Sequence, residues 1–213
     1  MTASTILFDL DGTLTDSGEG IMNCAALALE AFGISVPCRE DLRAFVGPPL
    51  HEMFVRFGVP DDQADRAVEI YRSRYHTVGK FENFPYPGVR QMLAYLKEKG
   101  YHLMVATSKP EKLSIEILEH FDLARYFDRI CGASMDRSRI TKSDVIKYLL
   151  KDTVSEKACV MVGDTAFDVI GASAHGIRTI GVSWGYGSTE EMLQAGAFAI
   201  AQTVEELLKL LTE

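Results

Sequence analysis

The chain has 213 residues, 47% of them hydrophobic and 24% charged, and a formal net charge of −8. This length suits one large domain or a core with a smaller appended one, and it buries enough surface to fold without disulfide or metal staples. The acidic balance, with no clustered Lys/Arg patch, argues against a nucleic-acid partner but not against a phosphorylated substrate, because a bound divalent cation supplies positive charge locally. The four cysteines (Cys24, Cys38, Cys131, Cys159) have neither C-x-x-C nor metal-ligand spacing and read as reduced, mostly buried thiols. Residues 1–8 carry neither a charged-then-apolar leader nor a spanning segment, so the expected location is cytoplasmic, with no membrane partner.

In chain order, the first predicted element is a strand at Ile6–Phe8, which runs into Asp9. No strand follows for a long stretch. Ser17 is expected to cap a helix from Gly18 to Phe32, with Ile21, Ala25, Leu29 and Phe32 on one face. Gly33, Pro37 and Gly47-Pro48-Pro49 punctuate, and helical patterning resumes over Leu50–Phe57 and Asp61–His76. Residues 16–83 therefore read as an all-helical insertion, a small domain that folds over a core made of residues 1–15 and 84–213, with Phe84 to Gly88 as the return hinge.

A strand–helix alternation follows. Pro87-Gly88 opens a helix to Lys99, Leu103–Ala106 is a strand, and Pro110 precedes a helix over Glu111–His120. Thr141 caps Lys142–Lys151, and Ala158–Val162 is a strand. Asp164 or Thr165 caps a helix to about His175, Thr179–Val182 is a strand, and Thr203-x-x-Glu206 is a capping box before Leu207–Leu211. The apolar runs are continuous rather than alternating, as in buried parallel strands. The expected fold class is α/β, a doubly wound, Rossmann-like parallel sheet with an inserted helical cap.

Chemistry concentrates at strand ends. Asp9 and Asp11, two residues apart and followed by Gly12, suit a hard cation and nucleophilic work, and serve equally well as loop or helix-cap aspartates. Asp164 ends another strand, and Asp168 lies four residues on, on the same helix face. Two acidic strand ends of one parallel sheet converge on one crevice, where carboxylates repel unless a cation lies between them, so the pairing favours a Mg²⁺ site. Thr107 and Ser108, with Lys109, offer hydroxyl and backbone N–H donors to an anion. Lys142 is either a phosphoryl counter-charge or a surface lysine.

These segments resemble the haloacid dehalogenase superfamily: Asp9-Leu10-Asp11-Gly12-Thr13, Thr107, Lys142, and Gly163-Asp164 with Asp168 stand in the order of its four motifs. Gly47-Pro48-Pro49-Leu50, Pro87-Gly88 and the run Gly181 to Gly187 are similar to the phosphoglycolate phosphatase-like branch, which has an α-helical C1 cap. The resemblance implies a Mg²⁺-dependent phosphatase. Asp9 would be the nucleophile that forms an aspartyl-phosphate, and Asp11 the acid and then base. Asp9, Asp164 and the carbonyl of Asp11 would be metal ligands, with Asp168 in or near the shell. Thr107 and Lys142 would hold phosphoryl oxygens, with Ser108 beside them. Asp11 disfavours a dehalogenase. Lys80 is the cap's one lysine, at its far end, which speaks against a phosphonatase; Thr13, where many mutases carry Val, speaks against a β-phosphoglucomutase-like mutase.

The substrate is expected to be a small phosphorylated metabolite, phosphoglycolate or a similar acid first, with 5′-nucleotides and sugar phosphates behind it. Arg43 is the candidate carboxylate reader, and Phe45, His51, Glu52 and Arg56 are further cap candidates. Trp184 and Tyr186 are expected to pack in the core, and Ser138-Arg139 to edge the site. A monomer or a homodimer is expected.

Overall fold

The structure, a computed structural model, describes residues 4–36, 38–136, 138–151 and 159–213. The chain divides into two compact units, Met1–Thr15 with Pro85–Glu213, and Asp16–Phe84. Strand β1 (Thr5–Phe8) is buried throughout, and the short β2 (Thr15–Asp16) leads out of the first unit.

The second unit is helical: α1 (Gly18–Glu30), a 3-10 stretch at Arg39–Phe45, α2 (Leu50–Arg56), a 3-10 turn at Asp61–Gln63, and α3 (Ala64–Tyr75). α1 buries Ile21, Cys24, Ala25, Ala28 and Leu29, and α3 buries Ala64, Ala67, Val68, Tyr71 and Tyr75, the three-and-four spacing of an apolar helix stripe. Phe45 is the hub of this unit's core, 4.9 Å from the ring centres of both Phe54 and Phe57. The start of α1 departs from expectation. The Ser17 side chain makes no capping bond; instead the Asp16 carboxylate accepts from the Gly18 amide at 3.2 Å. A carboxylate is the stronger acceptor there, because it also meets the helix dipole.

After β3 (Phe84–Pro85) the first unit resumes with α4 (Val89–Glu98), β4 (His102–Pro110), α5 (Glu111–His120) and β5 (Arg129–Ala133). It continues through α6 (Lys142–Leu150), β6 (Cys159–Gly163), α7 (Ala166–Ser173), β7 (Arg178–Val182), α8 (Thr189–Gln194), β8 (Ala199–Ala201) and α9 (Val204–Thr212). Its six-stranded sheet has the order β5-β4-β1-β6-β7-β8, and the neighbouring pairs are parallel.

Successive residues of each strand alternate between faces, which fixes two cores. Ile6, Phe8, Leu103, Val105 and Val162 pack with Leu93, Leu96 and Leu207. Leu7, Met104, Ala106 and Met161 pack with Val145, Leu149 and Ala172. Fully burying a side chain of this kind contributes about 1.5–3 kcal/mol, so the sheet is held firmly between its two helical layers.

Two strands of this sheet were not expected, β5 and β8, and both are its edges; the two-residue β2 and β3, which pair with each other, were not expected either. The strand read as beginning at Ala158 is described from Cys159, because Ala158 lies outside the described residues. Strand order reverses between β1 and β6, so the loops following these two strands open on a shared crevice at the switch point.

Candidate active site

Asp9 is the first residue past β1. Its amide donates to the Val162 carbonyl at 2.9 Å, which ties the loop to β6. The turn closes through Gly12 N–H to Thr15 O (2.8 Å) and Leu14 N–H to Leu10 O (2.9 Å), and the fully buried Leu10 and Leu14 anchor it. Gly12 has φ +79°, and a Cβ there would collide with the Asp164 carboxylate. Glycine therefore serves both the turn and the approach of the two acidic loops.

Asp164 is the first residue past β6 and is buried. It accepts from the Tyr186 amide at 2.8 Å and lies 3.5 Å from the Thr13 hydroxyl, which is in donor position. Asp168 sits in the first turn of α7, where its Oδ2 accepts from the Thr165 amide (3.1 Å) and hydroxyl (2.9 Å). Lys142 opens α6 and is buried. Its ammonium donates to the Ala106 carbonyl at 2.9 Å, and it stands 2.8 Å from Asp9 Oδ1 and 2.7 Å from Asp168 Oδ1. α6 starts where it does because the Thr141 hydroxyl accepts from the Asp144 amide while Asp144 accepts from the Thr141 amide, a capping box.

One oxygen from each of Asp9, Asp164 and Asp168 lies within 4.8 Å of the others. Two of these three buried carboxylates, Asp9 and Asp168, share one ammonium. Burial pushes Asp9 up to about 6, with the Asp168 charge adding to it, while Lys142 and the Thr107 hydroxyl pull the other way. Burial, then Asp9 and Asp168, push Asp164 up to about 8, against the Tyr186 amide and Lys142. Burial opposes charge on Lys142, yet Asp168 and Asp9 outweigh it and hold the ammonium above the ordinary lysine range. Asp9 Oδ1 and Asp168 Oδ1 are buried, and the Lys142 ammonium, at charge-assisted hydrogen-bond distance from both, is the partner that compensates them. An all-oxygen donor set with surplus negative charge fits a hard divalent cation. With one oxygen in the Thr165 cap and the other on Lys142, Asp168 is the member of the trio most occupied by protein partners.

Asp11 points elsewhere. Its two oxygens accept from the Lys109 ammonium at 3.0 and 2.7 Å. Thr107 is buried and its hydroxyl accepts from the Lys109 amide at 3.3 Å, while Ser108 is exposed. The structure thus brings Asp9, Thr107, Lys142, Asp164 and Asp168 together in one unit, with Asp11 beside them on Lys109. Arg43 belongs to the helical unit, where it is half-exposed and 3.6 Å from Glu40. Phe45 is core there, and His51 is raised by hydrogen bonds to Asp65 and Asp61.

Trp184 packs against the sheet core, its indole N–H donating to the Thr13 carbonyl at 3.2 Å. Arg139 pairs with Glu111 at 3.0 Å and stacks over Tyr148. Sequence reasoning missed the grip of Lys109 on Asp11 and the Tyr186 amide on Asp164. The first had a signal, a lysine two residues past Thr107 at a strand end; a backbone donor has none.

The model of the haloacid dehalogenase-like hydrolase family matches residues 6–182. A 5′-nucleotidase of Pseudomonas aeruginosa is 41% identical over 189 residues, 88% of this chain and 86% of that protein. A phosphoglycolate phosphatase of Vibrio parahaemolyticus is 28% identical over 214 residues, covering 96% and 94%. The solved structure of protein tyrosine kinase A (PtkA) of Mycobacterium tuberculosis superposes with a TM-score of 0.85 at 38% identity, covering 100% of this chain and 99% of that one. The chain belongs to the haloacid dehalogenase-like hydrolase family. Within it, the chain is a phosphatase, a phosphoric monoester hydrolase. Among the described residues no helix is long and apolar enough to cross a membrane.

Proposed function

We propose that the protein hydrolyses small phosphate monoesters in two displacements at Asp9, with Mg²⁺ held by Asp9, Asp164 and the Asp11 carbonyl. The observation that carries this is the buried Asp9–Lys142–Asp168 contact beside Asp164. In the first displacement an Asp9 oxygen bonds to phosphorus, and the phosphorus–ester bond breaks with its electron pair on the alcohol oxygen, which takes a proton from Asp11. In the second, Asp11 removes a proton from water as its oxygen bonds to phosphorus, and the acyl-phosphate bond returns its electrons to Asp9. The cation, when bound, neutralises charge on the transferring group. Lys142 keeps the Asp9 carboxylate oriented, and Thr107 offers its hydroxyl to a phosphoryl oxygen. The helical unit is the candidate reader of the leaving group.

Among substrates we favour a nucleoside 5′-monophosphate over phosphoglycolate, which reverses the order expected from sequence. The relative named for 5′-nucleotides is the more similar, 41% against 28%, and the Arg43 charge already has a partner in Glu40. The likeness to a tyrosine kinase supplies a second reading, phosphoryl transfer from ATP to a protein tyrosine. The test is Mg²⁺-dependent phosphate release across nucleotides, phosphoglycolate and sugar phosphates, with Asp9→Asn beside wild type and an ATP-plus-tyrosine-peptide arm. Full turnover by Asp9→Asn refutes the nucleophile; phosphotyrosine without phosphate release from any monoester refutes the phosphatase.

A further inference from the structure

We propose that Lys109 is a positioning residue for Asp11: it holds the side chain so that, with the proton on one oxygen and the ammonium on the other, the carboxyl faces the leaving group that receives that proton. The inference rests on the two-step reading of Asp9 and Asp11 given above. The ammonium reaches both Asp11 oxygens, at 3.0 and 2.7 Å. One nitrogen shared by both oxygens sits between them and restrains the carboxylate's rotation about its Cβ–Cγ bond. The Lys109 side chain is only 7% exposed and that of Asp11 20%, so the lysine stem is packed while one edge of the carboxylate stays open.

The strand end that carries Lys109 is itself held. Its amide donates to the Thr107 hydroxyl at 3.3 Å, and the β4–β5 register shifts between Ala106 and Pro110, where Pro110 pairs with Ala133. The neighbouring β5 residue is Gly132, at which any Cβ would run into the Lys109 carbonyl. Lys109 is therefore fixed from its backbone outward, and Asp11, on a two-residue spacing from Asp9, is fixed through it.

The two site lysines divide the work. Lys142 faces Asp9 and Asp168, whereas Lys109 faces Asp11. Loss of Lys142 should harm attack on phosphorus for any substrate. Loss of Lys109 should harm the proton transfer alone, and proton donation matters for an alkoxide leaving group but little for a nitrophenolate.

The test compares Lys109→Met and Lys109→Arg with wild type on an alkyl phosphate and on p-nitrophenyl phosphate, reading the single-turnover rate of leaving-group release with Mg²⁺ saturating. Lys109→Met is expected to lower the alkyl phosphate rate by about 30-fold or more, within the roughly 10²–10⁴-fold span of general acid catalysis. Nitrophenolate release should stay within about threefold and KM within about twofold. Lys109→Arg, whose guanidinium fork can reach both Asp11 oxygens, should recover part of the alkyl phosphate rate.

An equal fall on both substrates, a rise in KM alone, or no change overturns the proposal. Asp9→Asn run alongside separates the levels. Nitrophenolate release that survives in it overturns the parent reading, whereas its loss together with an equal fall in Lys109→Met overturns only the role of Lys109. Unchanged thermal melting of Lys109→Met excludes a folding defect as the cause of a selective loss.

Discussion

Substituting Gly171 by alanine probes how tightly the site lysine is seated. Gly171 lies in α7, and a Cβ built there falls 2.7 Å from Lys142 Cβ and 2.8 Å from its Cγ. Carbon atoms in contact prefer about 3.5–4.0 Å, so the stem of Lys142 or the whole of α7 must retreat by about 1 Å. The same change replaces a mid-helix glycine, worth about 1 kcal/mol of helix stability, against an overpacking penalty of about 1–3 kcal/mol. Thermal stability should then change little or fall by up to about 2 kcal/mol. Activity should suffer far more, because a shift of about 1 Å in a positioned group can cost about 10²-fold. Steady-state phosphate release from Gly171→Ala should show kcat down by about 10–100-fold with KM nearly constant. A variant that melts higher than wild type and keeps kcat within about twofold would refute the tight α6–α7 seat for Lys142.

Asp9→Asn should abolish Mg²⁺-dependent turnover by at least about 10³-fold while leaving the fold intact, checked by phosphate release and circular dichroism. The raised carboxyls at Asp9 and Asp164, about 6 and about 8 against an ordinary 3.8, bind protons more tightly in the folded state. Their contribution is fully present below about pH 4 and is lost as pH rises through those values. Without metal, the melting temperature should therefore fall from about pH 5 to about pH 9, and Mg²⁺ should raise it more at the alkaline end. An equal Mg²⁺ shift at both ends would contradict the shared-charge account. Thr141→Ala removes the acceptor that starts α6 and should cost about 1 kcal/mol, about 2–4 °C in a scanning melt for a chain of this size. A melt unchanged within error would mean that Asp144 alone starts the helix.

The sequence made the central strands legible, and the reason lies in their burial. β1, β4, β6 and β7 have neighbours on both sides and read as unbroken apolar runs. β5 (Arg-Ile-Cys-Gly-Ala) opens on a charge and is interrupted by Gly132, and β8 lies in the alanine-rich run Ala197 to Ala201, which periodicity alone does not assign to a strand; both are half-buried edges. The site followed the same logic. Asp9, Thr107 and Asp164 sit at or just past the ends of legible strands, and Lys142 opens a helix whose cap, Thr141, is visible in the sequence. Ser17 misled because the Gly20 amide, one of those such a cap serves, bonds instead to the Glu82 carbonyl far along the chain. Lys109 was visible as a residue but not as a partner, since a link across 98 positions to Asp11 depends on which strand lies next to which. Arg43 shows the converse: a suggestive residue type whose local partner, Glu40, lies only three positions away.

The seam between β1 and β6 joins the two ends of this chemistry late. Thr13 and Asp164, in contact across it, are 151 positions apart, and Thr5 stands opposite Cys159 in the ladder. During synthesis the first acidic loop leaves the ribosome long before its counterpart exists, and closing so long a loop is entropically slow. A chain cut short before β6 would hold Asp9 without Asp164 and Asp168, the two carboxylates that complete the cluster. The acidic cluster of Asp9, Asp164 and Asp168 thus forms only after β6 and the start of α7 have been made and joined to β1.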